Sequence, residues 1–90
     1  YLNFGPDSEL EDFGYQVRTL TKEERWAILQ NAVPIIGLEK AVDTIANHIM
    51  HRKAEENGEQ FYAKSIVKWK NDLIYLKKHF YNNEFAWPKI

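Results

Sequence analysis

The chain has 90 residues, 14% of them aromatic, a formal net charge of −1 and no cysteine. A chain of this length buries roughly 60–65% of its unfolded surface, so one core suffices without staples. The missing cysteines exclude disulfides, thiolate metal sites and cysteine nucleophiles, and point to a reducing, cytoplasmic setting. No apolar run reaches the length of a membrane span and no signal-peptide pattern opens the sequence; a first residue of Tyr rather than Met reads as a trimmed or excised chain.

Residues 1–20 are predicted to form an irregular strap. Gly5-Pro6-Asp7-Ser8 is a turn cluster, and Phe13-Gly14-Tyr15-Gln16-Val17 alternates apolar with other residues, as a short extended stretch does. The first helix is expected after Leu20, because Thr21 and Glu24 stand three apart as a capping box. Trp26, Leu29 and Val33 would share its inner face, and Pro34 is expected to stop it. Pro34-Ile35-Ile36-Gly37 then reads as a tight apolar connection.

A second helix is predicted over residues 38–53, with Leu38, Ala41, Val42, Ile45, Ala46 and Ile49 in one stripe. Glu39 near its start and Arg52-Lys53 near its end complement the helix dipole. Glu55-Glu56-Asn57-Gly58 is a polar loop with a left-handed turn signal. The third helix, residues 59–81, carries the strongest pattern: Tyr62, Ile66, Trp69, Leu73, Leu76 and Phe80 fall at alternating spacings of four and three. Residues 82–90 follow as an extended tail, with Phe85 and Trp87 packing back. The expectation is an all-α single domain spanning 1–90, a compact three-helix bundle over 21–81 between irregular straps.

Charge is unevenly distributed. Residues 1–20 hold Asp7, Glu9, Glu11 and Asp12 against Arg18, whereas residues 59–81 hold five lysines against Glu59 and Asp72. Helical spacing places Lys64, Lys68, Asn71, Tyr75 and Lys78 opposite the seam, flanked by Lys70 and Lys77. These five are the candidate binding residues: lysines in register meet successive phosphates, and a tyrosine stacks on a base. The same lysines also suit a plain solvated helix face. Val67, Ile74 and Ile35-Ile36 exceed what one small core needs, and an apolar surplus marks a partner surface or a homodimer interface.

Little material for catalysis is present. His48 and His51 form H-x-x-H, with His79 the only further histidine, but no H-E-x-x-H motif accompanies them, and histidines near a helix C-terminus gain from its dipole. Glu11-Asp12, Glu23-Glu24 and Glu55-Glu56 are adjacent pairs that point apart rather than converge on a cleft. Ser8 and Ser65 lack a nucleophile elbow, and only four glycines leave no phosphate loop. The residues indicate no enzyme, no catalytic residue, no metal and no cofactor.

Phe13-Gly14-Tyr15, Glu24-Arg25-Trp26 with Ile28-Leu29, Ile45-Ala46, and Trp69-x-x-Asp72-Leu73-x-x-Leu76-Lys77, followed by Tyr81 and Phe85-Ala86-Trp87-Pro88, together form a further pattern. It resembles a small helical module of unassigned function in bacterial and phage proteins, sometimes attached to DNA-processing or defence proteins. That resemblance implies a defence or DNA-processing setting and no reaction. The expected function is a non-catalytic protein-interaction module that docks a protein partner or larger parent assembly, without a membrane. The alternative is a small nucleic-acid-binding domain using the basic face of the third helix.

Overall fold

The computed structural model describes residues 6–90, with side chains from residue 9 onward. The described residues are all-α, with five helices rather than the three expected: α1 (Pro6–Asp12), α2 (Lys22–Ile36), α3 (Leu38–Ala54), α4 (Gly58–Phe61) and α5 (Ala63–Phe80). The long helices α2, α3 and α5 touch one another pairwise, and α1 packs on α3.

The N-terminal segment corrects the expectation of an irregular strap. Pro6 occupies the first helical position, where a missing N–H costs nothing, and α1 buries Leu10 in the core. Gly5 of the anticipated turn cluster lies outside the described residues. Beyond α1 the alternation holds: Phe13, Tyr15 and Val17 turn inward while Gly14 and Gln16 face solvent.

α2 starts where its capping box requires. Thr21 Oγ1 accepts from the Glu24 amide at 3.1 Å, and the Glu24 carboxylate accepts from the Thr21 amide at 2.9 Å. Pro34 does not end the helix, which runs on to Ile36. Only the Gln30 carbonyl loses its intrahelical donor to the proline, and Gln30 is exposed, where solvent replaces it. The stop is Gly37 instead, whose φ of 94° favours glycine and whose N–H closes on the Val33 carbonyl at 2.9 Å.

α3 buries Ala41, Val42, Ile45, Ala46 and Ile49, as its stripe predicts. The predicted 59–81 helix, by contrast, is two helices broken at Tyr62, which leaves helical backbone at φ −106° and ψ 23°. Contacts with the end of α3 account for the break. A Cβ on Gly58 would stand 1.7 Å from the Arg52 carbonyl oxygen, and the Arg52 guanidinium lies 4.8 Å above the Tyr62 ring. α4 is thereby tied to α3, and α5 begins after the break.

On α5 the seam residues Ile66, Trp69, Leu73 and Leu76 are buried, with Tyr62 and Phe80 half-buried at its ends. Asp72 and Tyr75 are buried with them. The inner face is therefore rotated by roughly 30° from the apolar seam, at 100° per residue. α3 covers one flank of α5 and α2 covers the other. The tail after Phe80 has no regular structure and packs back: Phe85 and Trp87 are half-buried, their rings close to Tyr81.

Candidate interaction surface

Asp72, fully buried, organises the α2 flank of α5. Its Oδ2 accepts from the Tyr15 hydroxyl at 2.6 Å and from Arg25 Nε at 2.8 Å. Its Oδ1 accepts from Arg25 Nη2 at 3.0 Å and from the Trp26 indole N–H at 2.8 Å. Four donors from the 13–20 segment and α2 thus fill both oxygens of one carboxylate. Arg25 is itself almost wholly buried and also donates to the Leu20 carbonyl at 3.2 Å. Burial opposes its charge, but hydrogen bonding and attraction to Asp72 outweigh that and raise its pKa above the usual arginine value. Burial, followed by the Asp72 charge, lifts the Tyr15 phenol well above its ordinary value. The cluster is saturated and enclosed, which makes it architecture rather than a reactive centre.

It also fixes what lies outside it. Trp26, held through its indole N–H, stacks on Tyr75 with centroids 4.4 Å apart and planes 12° from parallel. Gln30 Nε2 donates to the Tyr75 hydroxyl at 2.6 Å, and His79 covers the ring at 4.6 Å. Trp26, Tyr75 and His79 wall a shallow cleft of about 350 Å³ between α2 and α5, lined also by Lys22, Asn71, Ile74 and Lys78. The Lys22 ammonium lies 5.1 Å from the Trp26 ring centroid. The lining includes no carboxylate.

The five candidate residues therefore divide. Asn71, Tyr75 and Lys78 meet at this cleft. Tyr75, expected to face outward, is only 6% exposed, because α2 covers that flank with Trp26 and Gln30. Lys68 is half-buried and donates to the Val17 carbonyl at 3.0 Å, so it ties down the 13–20 segment rather than facing solvent. Lys64 lines a separate open groove of about 1000 Å³ between that segment, the end of α3 and the α4–α5 junction. Its floor includes Trp69, with His48 stacked on it at 5.2 Å.

The outward face of α5 differs accordingly from the one spacing suggests. Ile74 is 64% and Val67 57% exposed, two turns apart along its middle. Lys64, Lys70, Lys77 and Lys78 surround them in exposed positions, and among the described residues none of the four is ion-paired. The only acid of α5 is Asp72, enclosed by Arg25, so the exposed face carries lysines and no carboxylate. Sequence reasoning missed Lys22, Trp26 and His79 as cleft walls. The legible signal was the capping box, which sets Lys22 and Trp26 four residues apart on one side of α2.

No metal-ligating cluster of three side chains occurs among the described residues. His48 is engaged with Trp69, while His51 is exposed. Glu23, Glu24, Glu55 and Glu56 are all exposed. No helix is long and apolar enough to cross a membrane, a statement confined to the described residues. Comparison with family models, with curated proteins and with solved structures finds no match to this chain.

Proposed function

We propose that this protein is a non-catalytic interaction module that docks a protein partner through the outward face of α5. In this reading α2, α3 and α5 form a three-helix bundle whose task is to hold α5 rigid, with α1, α4 and the tail closing its ends. The observation that carries it is the exposure of Val67 and Ile74 at the centre of a lysine face. Aliphatic side chains gain nothing from a phosphate backbone but gain from an apolar side chain that covers them. The sequence resemblance supports a setting in bacterial or phage defence or DNA-processing machinery, and the lack of cysteine supports a cytoplasmic one.

Nucleic-acid binding is the second reading, favoured by four exposed lysines on one face that have no ion-pair partner among the described residues. Against it stands Tyr75: its ring is buried between Trp26 and His79, so the tyrosine expected to stack on a base is not free to do so. Titration with duplex and single-stranded DNA at about 50 mM salt separates the two, since phosphate contacts are strongest there. The expected result is no measurable complex. A micromolar complex with a log–log salt slope of roughly −3 to −4, lost when Lys64, Lys70, Lys77 and Lys78 become Glu, overturns the protein-docking reading.

A further inference from the structure

Resting on that docking reading, the geometry points to the chemistry of the partner: we infer that α5 receives an acidic amphipathic helix. Three observations converge on it. The exposed side of α5 carries lysines and no carboxylate, because its one acid is enclosed by Arg25. Val67 and Ile74 lie about 10 Å apart along the axis, at 1.5 Å per residue, which is two turns of a facing helix. The stretch from Lys64 to Lys78 spans about 21 Å, or four turns, by the same rise.

A partner helix with apolar side chains seven residues apart covers Val67 and Ile74 and places flanking carboxylates on Lys64, Lys70, Lys77 and Lys78. The α2–α5 cleft gives the arrangement a direction. Ile74 borders it, and Lys22, Lys78 and His79 line it without a compensating acid. One carboxylate of the partner enters there, beyond the Ile74 anchor, while the Lys64 end has no equivalent on the α2 side. A second copy of this chain is the poorer occupant, because a two-fold contact through α5 would set lysines against lysines.

The test uses the full chain and three synthetic helical peptides of about 16 residues, each with two leucines seven apart and flanking Glu, Gln or Lys. Calorimetric titration is expected to show binding of the Glu peptide at least about tenfold tighter than the Gln peptide, and none for the Lys peptide. V67S/I74S, at exposed positions that leave the helical circular dichroism unchanged, is expected to weaken the Glu peptide about tenfold or more. Lys22→Ser is expected to weaken it about threefold, as removal of a rim charge does. Equal binding of Glu and Gln peptides overturns the acidic partner and leaves protein docking standing. Binding of no peptide, together with a salt-steep DNA complex indifferent to V67S/I74S, overturns both.

Discussion

The two flanks of α5 solve the same packing problem by opposite means. Against α3 it presents Ile66, Trp69, Leu73 and Leu76, an apolar seam that accepts any neighbour of suitable shape. Against α2 it presents Asp72 and Tyr75, which accept one neighbour only: Arg25 must deliver Nε and Nη2 to one carboxylate while Trp26 brings its indole N–H and stacks on Tyr75. Desolvating both ions cancels much of the attraction between them, so the pair adds little net stability. What it contributes is register. A slip of α2 by one residue would strand two buried charges, whereas a slip along the α3 seam loses only contact area.

The largest expected effect comes from breaking the polar flank on one side only. Asp72→Ala leaves the Arg25 charge buried without a partner and should cost about 3–5 kcal/mol by urea denaturation. Arg25→Met combined with Asp72→Leu should recover part of that loss, because both charges and their desolvation costs go together, while the Tyr15 hydroxyl and the Trp26 indole N–H still lose their acceptor. If the double variant is as unstable as the single one, the pair contributes stability as well as register, and the contrast between the flanks is misdrawn.

Trp69→Ala attacks the apolar flank. Trp69 is 7% exposed and stacks on His48, and its truncation should cost about 3 kcal/mol through lost burial and a cavity. No compensating substitution on a single partner should rescue it, since its contacts are shared among many neighbours. A loss below about 1 kcal/mol would mean that the ring is dispensable to the core and free to serve the adjoining groove.

How far each flank was legible follows from what carries it. The seam, the α3 stripe and the Thr21–Glu24 cap are local or periodic, and the spacing of apolar residues announces them. The Arg25–Asp72 pair joins residues 47 apart in the chain, and nothing in the neighbourhood of either distinguishes a buried charge from a solvated one. That single omission propagates: without the buried Asp72 on the inner face, helical spacing puts Tyr75 on the outer one. Of the candidate residues, Lys64 and Lys78 are exposed as the spacing suggests, whereas Tyr75 is buried. Pro34 misled for a different reason, since a proline in a last turn disturbs only one carbonyl, and here that carbonyl belongs to an exposed residue.

A smaller effect isolates the third arm of the polar flank. Tyr15→Phe removes one donor from Asp72 and should cost about 1.5–2 kcal/mol near neutral pH. The phenol has a folded pKa above its unfolded value of about 10, so the unfolded chain releases this proton first. Its contribution is whole below about pH 10 and is lost as pH rises through the folded pKa. The gap between wild type and Tyr15→Phe, followed by denaturation at a series of pH values, should therefore stay constant up to about pH 10 and narrow above it. A gap that widens in alkali would reverse the sign and show the phenolate to be the stabilised form.

The smallest effect sharpens the comparison at its origin, since the angle at which α2 begins decides whether Arg25 and Trp26 reach Asp72. Thr21→Ala removes one half of the capping box and Glu24→Ala the other, each for about 1 kcal/mol. The two donors are satisfied reciprocally, so the double variant should cost less than the sum. The cap should also couple to the buried pair. In the background of Arg25→Met with Asp72→Leu, where α2 no longer has to meet a carboxylate, Thr21→Ala should cost only what a helix end loses in isolation, a few tenths of a kcal/mol below its cost in the native chain. Equal costs in both backgrounds would separate the start of α2 from the register of its polar flank, and the geometry of Arg25 would then rest on its contacts with Asp72 and the Leu20 carbonyl.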